Sequence, residues 1–460
     1  MQGSNKPGRG AAPPKSPETP GEKANIPGKP GPVEKGLPPR PPEGRVRDVG
    51  RAPNGHPMPG KVVHAGNGAD VRVRPNGQKA DVHDPKTGTD VHNGLNGSRT
   101  ASVTRSDRSR VASLAGGKAG SVARAFTSNS HDFERRTYFL GGRTYDRFYR
   151  SFMYAGMMLE AYTPASYYAP AYYGWAYNAW GPSVPYAWGF SANPWYGHYG
   201  FYYSPYPSYA GASFWLTDYV MARSLDTEYQ INLQANAQPV TGATALTPEV
   251  KNLVVGEVQR QLALENREAM DNARNVWSDP AMSGIGRMLT DNVPHIFVAG
   301  RDIDVMDSTG LECAISPGDV MQLAGPSPLP FANLMVLASK GGVECRGGTI
   351  VAVGVVDLQE MQNFMREAID QGLAEMMVKQ GQGGLPPVAV AARVPPVAPP
   401  FTQDAPPTEQ NVAAVISQAA QDANRAELEA ITQLPANAEG APAPKGNDIH
   451  PGVPASRAGS

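Results

Sequence analysis

Alternation of apolar and polar residues dominates the chain between residues 61 and 150. Short runs such as VRVR (71–74), KADVH (79–83), TDVH (89–92), TASVT (100–104), SRVAS (109–113) and GSVAR (120–124) place valine or alanine at alternate positions. Turn signals separate them: Pro75-Asn76-Gly77, Asp84-Pro85-Lys86-Thr87-Gly88 and Asn93-Gly94. Period-two patterning broken by regular turns predicts an antiparallel meander. Its inward side chains are small, so its own core is thin. RRTYFL (135–140) and RTYDRFYR (143–150) flank Gly141-Gly142 and predict a hairpin.

Further along, the period changes. Over residues 246–275, Thr247 precedes Pro248, and Val250, Leu253, Val254, Val258 and Leu262 fall on one stripe, which predicts an amphipathic helix. Residues 293–356 return to short strands: HIFVA (295–299), DIDVM (302–306), LECAI (311–315), VMQLA (320–324), NLMVLAS (333–339) and TIVAVGVV (349–356). Such strands suit a small closed barrel of SH3-like size. Asp357-Leu358-Gln359-Glu360 then reads as a capping box. The helix that follows carries a stripe of Leu358, Met361, Met365, Ile369, Leu373 and Met376, expected to lie across the barrel and close a 285–380 domain. Residues 408–433 predict a third amphipathic helix. The fold class expected is mixed and mainly β: a meander with an aromatic segment, and a small barrel flanked by helices and disordered segments.

Composition supplies those disordered segments. Residues 1–60 hold 15 Pro and 11 Gly, too little apolar surface to offset ordering entropy, so a flexible basic tail is expected. Its PPRPP run (38–42) matches proline-rich ligands of aromatic grooves. Residues 381–407 read as a Pro/Ala-rich linker and 434–460 as a second tail. No run of 18 apolar residues free of charge, Gly and Pro occurs, which excludes a spanning helix.

Residues 151–220 are unlike the rest. Of 37 aromatic residues, 29 lie between Tyr138 and Tyr219, and no Asp, Glu, Lys or Arg occurs from Ala161 to Thr217. Repeated Pro and Gly forbid a long helix there. Trp175, Trp180, Trp188, Trp195 and Trp215 are candidates for stacking on the apolar faces of sugars, or for contact with a wall polymer, an envelope protein or a bilayer interface. The alternative is that these rings pack on one another and on the meander, supplying its missing core.

Charge is segregated. Residues 1–150 hold 26 Lys and Arg against 13 Asp and Glu, a net of +13; residues 151–460 hold 15 against 29, a net of −14. A basic first third attracts nucleic acid or another polyanion, or contacts the chain's own acidic remainder; no nucleic-acid motif accompanies it. Cys313 and Cys345 lack the close spacing of a metal site; they are either buried free thiols or a disulfide, and the favoured disulfide implies an oxidising compartment. The first residues, MQGSNKPGRGAAPP, show no apolar leader segment, so the expectation is either a cytoplasmic chain or a start downstream of a removed leader.

Chemistry is sparse. Asp81-Val82-His83 and Asp90-Val91-His92 each put a carboxylate and an imidazole on one strand face, and pairing of the two copies would gather two Asp and two His suited to Zn²⁺ or Cu²⁺. No nucleophile motif, phosphate loop or Cys–His pair is present, so no catalytic residue and no cofactor is expected. His295 reads as structural, and Glu265/Glu268 and Glu427/Glu429 as solvated helix faces.

The aromatic stretch resembles uncharacterised bacterial envelope proteins with Tyr-x-Trp-Gly-x-Trp-type segments, through Tyr186-Ala187-Trp188-Gly189-Phe190 and, more loosely, Tyr173-Gly174-Trp175-Ala176-Tyr177 with Asn178 and Trp180. Ser191 stands where the pattern has Trp. DLQEMQNFMREAIDQGL (357–373) is similar to a segment of such proteins too. The resemblance implies a cell-envelope or extracellular setting and no activity. The expectation is therefore a non-enzymatic envelope or secreted protein, structural, adhesive or binding wall carbohydrate; the alternatives are a nucleic-acid-associated protein and a metal-binding protein.

Overall fold

A computed structural model describes residues 58–232, 242–325 and 327–435. The expected basic tail, apart from residues 58–60, and most of the 434–460 tail lie outside the described residues. The fold is mixed α/β, built on large antiparallel sheets.

Ten strands follow one another in space as in sequence: β1 (Lys61–His64), β2 (Asp70–Val73), β3 (Lys79–Asp84), β4 (Thr89–Asn93), β5 (Arg99–Thr104), β6 (Arg110–Leu114), β7 (Ala119–Ser128), β8 (His131–Leu140), β9 (Arg143–Tyr154) and β10 (Met157–Thr163). The expected meander is present and runs one strand further, into the aromatic segment. Four of its turns repeat one device. At Ala65, Arg74, Gly94 and Arg105 the backbone N–H donates to the carbonyl four residues on, and the carbonyl accepts from the N–H three residues on. In each turn Asn67, Asn76, Asn96 or Asp107 also accepts the N–H two residues ahead through its side chain. The β4–β5 turn thus centres on Asn96-Gly97 rather than on Asn93-Gly94, because Asn93 still pairs with Arg99.

One face of the meander carries Val71, Val73, Val82, Val91 and Ala101, all buried. What covers it comes from the far end of the chain: a helix over Val412–Thr432 presenting Ile416, Ala419, Ala420, Ala423 and Ala430. Small residues let this helix lie close to the strands. A Cβ on Gly117 would sit 3.0 Å from Ala420 Cβ. The meander's missing core is therefore supplied by this helix and not by the aromatic segment.

The aromatic segment makes its own core. It folds as α1 (Pro170–Tyr177), β11 (Ala179–Val184), α2 (Pro194–Tyr199) and β12 (Tyr209–Gly211), with β11 pairing β12. Its rings close on three long helices: α3 (Ala212–Asn232), α4 (Pro248–Ala273) and, after short α5 (Pro280–Ser283) and α6 (Ile285–Met288), α7 (Val355–Lys379). Helix α3 begins inside the charge-free segment and carries no amphipathic signal, since Trp215, Leu216, Val220, Met221 and Leu225 are all buried. Where α7 crosses it, a Cβ on Gly372 would meet Leu216 Cδ2 at 2.5 Å. Helix α4 starts where expected, with Thr247 accepting the Val250 N–H, but it is rolled about its axis: Leu253 is exposed while Glu257, Glu265 and Glu268 are buried. Helix α7 is capped at Gly354 rather than Asp357.

Six further strands, β13 (Ile296–Val298), β14 (Ile303–Asp307), β15 (Glu312–Ile315), β16 (Val320–Leu323), β17 (Phe331–Ala338) and β18 (Ile350–Gly354), pair antiparallel in the order β13-β16-β17-β18-β14-β15. All six expected strands are present. The expected closed barrel is not seen among the described residues, because β13 and β15 end the sheet and do not pair with each other. Its core is not self-contained either: Phe297, Ile303, Val351 and Val353 pack with Phe152, Met157 and Leu159 of the meander and with Ile285 and Met288. Cys313 and Cys345 are disulfide-bonded, their Cα atoms 5.0 Å apart.

The expected 381–407 linker is a docked strap. Leu385, Val388, Ala392 and Phe401 are buried, Val397 exchanges two 2.8 Å backbone hydrogen bonds with Tyr167, and a short helix, α8 (Phe401–Asp404), ends it. The helix over Val412–Thr432 completes the order as α9. No described helix is long and apolar enough to cross a membrane.

Candidate functional site

The two Asp-Val-His copies do come side by side. Strands β3 and β4 pair Asp81 with His92 and His83 with Asp90, and each pair closes on itself: His92 Nδ1 lies 2.6 Å from Asp81 Oδ1, and His83 Nδ1 lies 2.7 Å from Asp90 Oδ1. The four side chains thus form two separate imidazole–carboxylate pairs. No group of three or more His, Cys, Asp or Glu suited to a metal ion occurs among the described residues. Burial pushes the Asp90 carboxyl above its usual range, against the pull of His83.

The Asp81–His92 pair belongs to a larger charge network. Arg72 Nε donates to Asp81 Oδ2 (2.5 Å) and its Nη2 to Glu312 Oε1 (2.9 Å). Arg74 donates to Asp304 Oδ2 (2.6 Å) and Glu312 Oε2 (3.1 Å), and His92 Nε2 is 3.2 Å from Asp304 Oδ2. Arg72, Arg74, Asp81, His92 and Asp304 are buried and Glu312 is half-buried; burial works against the Arg72 charge, yet Asp81 and Glu312 hold its pKa above the ordinary value. The pattern recurs across the sheet: Arg99 with Glu427, Arg124 with Glu409, and Arg136 with Glu360. Arginines of the basic third and carboxylates of the acidic remainder therefore neutralise one another within the chain. Glu427, expected on a solvated face, is one of those partners.

The belt tryptophans are mostly interior. Trp180, Trp195 and Trp215 are buried, and Trp175 and Trp188 half-buried. Trp188 is sandwiched between Phe190 (centroids 4.9 Å apart) and Trp215 (4.5 Å), and Trp215 continues the stack to Tyr219 (5.4 Å). Trp175 rests on Tyr172 (5.5 Å) and leans on Trp180 (5.4 Å). For Trp188 and Trp215, stacked rings occupy faces that a sugar would use. His295 is buried between Glu257 (2.9 Å) and Asp291 (2.9 Å); burial works against its charge, yet these two acids hold its pKa above the ordinary value.

An open site lies elsewhere. A cavity of about 260 Å³ sits where the last strands of the meander, the end of α4 and the strap meet. Its floor is a cross-strand row, Phe133 on β8, Arg150 on β9 and Ala161 on β10. One wall is Trp277, held over Phe133 (5.9 Å) and His131 (5.0 Å) by the turn in which Asn275 takes a positive φ of 56°. The opposite side is the strap, where Phe401 stacks on Phe133 at 4.7 Å. Tyr162, Tyr167, Thr163, Asn272 and Asn275 supply polar groups.

Charge in this cleft is uneven. Glu268 lines it but is engaged by Arg366 Nη2 at 2.5 Å. Arg150 donates to the Ser278 carbonyl and contacts His131 Nδ1 at 3.1 Å, with its guanidinium carbon 5.7 Å from the Trp277 ring centre. No described carboxylate forms an ion pair with it. Burial lowers the Arg150 pKa from its ordinary value, and burial with the neighbouring Arg150 charge lowers that of His131.

Comparison with known proteins finds no match. Neither a protein-family model, nor a curated protein, nor a solved structure is similar to this chain.

Sequence reasoning missed the cleft. Trp277 is the one tryptophan outside the belt, and Arg150 ends the predicted hairpin; neither carries a motif. The available signal was Trp277 itself, a large ring followed by Ser278-Asp279-Pro280 at the close of a predicted helix.

Proposed function

We propose that this chain is a non-enzymatic binding protein of the cell envelope or extracellular space that holds a carbohydrate in the cleft formed by Phe133, Arg150, Trp277 and the strap. The observation that carries this reading is the pairing of ring faces with amide and hydroxyl groups in one open cavity of about 260 Å³. Aromatic walls suit the apolar faces of sugar rings, and a few placed polar groups fix orientation. The aromatic belt is the scaffold behind the cleft: Tyr167, whose ring lines it, is anchored at the start of the belt. A disulfide between Cys313 and Cys345 agrees with an oxidising compartment.

Exposed apolar side chains at the cleft's border support a docking role. Val276 (54% exposed), Met282 (59%) and Val397 (60%) stand beside the cavity's lining segments. Co-sedimentation with purified wall polysaccharide tests the proposal. Retention is expected for the wild type and for Trp188→Phe, and its loss for Trp277→Ala. Equal retention of Trp277→Ala and wild type refutes the cleft as the site.

A further inference from the structure

Resting on the carbohydrate reading, we infer that the ligand carries a carboxylate, as a uronic acid does, and that Arg150 is the group that reads it. Arginines lining the interior of this protein are matched with acids wherever the structure offers the comparison: Arg72, Arg74, Arg136 and Arg366 each hold a carboxylate within 3.1 Å. Arg150 differs. It lies in the cavity floor between two apolar cross-strand neighbours, Phe133 and Ala161, and none of the described carboxylates forms an ion pair with it.

Its other contacts position it without neutralising it. The Ser278 carbonyl accepts one N–H, and the Trp277 ring stands beside the guanidinium. His131, which touches another nitrogen, has its pKa lowered by burial and by Arg150 itself, and an imidazole brings no negative charge to neutralise the guanidinium. Asp279 favours the Arg150 charge from a distance, too weakly to offset burial, and uses its carboxylate to cap α5 at the Ala281 N–H (2.9 Å). The lining's acid, Glu268, is turned to Arg366. A fixed, partly desolvated guanidinium with free N–H groups beside a ring face matches a sugar carboxylate: the fork donates to two oxygens while the pyranose lies on Trp277. A neutral sugar would leave that charge unmatched in a partly dry site.

The test uses the full chain and two matched probes, a 1→4-linked uronate hexamer and its carboxyl-reduced neutral counterpart, by calorimetry at about 0.1 M salt. The wild type is expected to favour the uronate by about tenfold or more, and the preference should shrink as salt rises. Arg150→Gln should bring the uronate down to the neutral hexamer's affinity, Arg150→Lys should retain part of the preference, and Trp277→Ala should weaken both probes. Equal wild-type affinity for the two hexamers, insensitive to salt, overturns the carboxylate inference and leaves the carbohydrate reading standing. Binding of neither overturns both. The wild-type comparison decides between these outcomes by itself, even where a variant fails to fold.

Discussion

Glu312→Gln is the sharpest probe of how the two oppositely charged parts of the chain are joined. Glu312 sits on β15 and bridges two buried arginines of β2 and the turn after it, Arg72 at 2.9 Å and Arg74 at 3.1 Å. Removing one member of a buried ionic network costs about 3–5 kcal/mol, since the charges left behind stay desolvated. Arg72 keeps Asp81 at 2.5 Å and Arg74 keeps Asp304 at 2.6 Å, so we expect the lower end, about 3 kcal/mol. For a folded unit this large, about 2 °C per kcal/mol translates that into a fall of about 6 °C in Tm. Urea titration followed by tryptophan fluorescence measures it, with the exposed Arg425–Asp422 pair as a control expected to contribute under about 0.5 kcal/mol. A loss below about 1 kcal/mol for Glu312→Gln would show that the network merely decorates the contact between the sheets.

Burial should be felt equally on the other face of the meander: Ile416→Ala on α9 is expected to cost about 2–4 kcal/mol by the same titration, and to speed amide exchange in β5–β7 before β16–β18. Cys313→Ser with Cys345→Ser removes a cross-link spanning 32 residues of sequence and should destabilise by about 3–4 kcal/mol; thiol counting on the denatured, unreduced wild type should find none free. Burial, reinforced by Glu134, pushes the Glu160 carboxyl up to about 8. A raised folded pKa favours the fold below the unfolded value, near 4.5, and that contribution is lost as pH climbs through 8. Glu160→Gln should therefore gain stability relative to wild type as pH rises from about 4.5 to about 8, and a constant difference would refute the assignment. His295, also raised, should behave alike: the advantage of wild type over His295→Gln is complete below about pH 6.5 and shrinks above it.

Local patterning made most of the strands and the three amphipathic helices legible, because alternation and turn chemistry act within a few residues. The Gly141-Gly142 hairpin closes with Leu140 opposite Arg143, and Thr247 caps α4, as their sequences imply. What escaped depends on distant partners. Whether Glu265 and Glu268 face water or the interior is decided by Tyr173 and Arg366, which lie far away in sequence on either side. The periodicity of α4 is thus overridden by polar packing, and Leu253 is left outside. The Pro/Ala run at 381–407 read as a linker because prolines disfavour regular elements, yet Phe401 and Val397 pin it to rings and backbone that only the folded body provides. Charge segregation was visible as a number, +13 against −14, but its use as internal complementarity needed the pairing of Arg74 with Asp304 and Glu312. The aromatic belt hides most of its rings from water as its lack of charge implies, with Tyr177 and Phe201 left exposed; the register that sets Trp188 between Phe190 and Trp215 has no local signature. The cleft is assembled from several distant segments, so no single stretch announces it.

Hydroxyl-radical footprinting of the full chain, with and without saturating wall oligosaccharide, tests the location of the binding site most directly. We predict protection of Trp277 and of the exposed lining residue Val276, with Trp175 and Trp188 unchanged. Protection confined to Trp175 and Trp188 would contradict the account and return the binding surface to the belt.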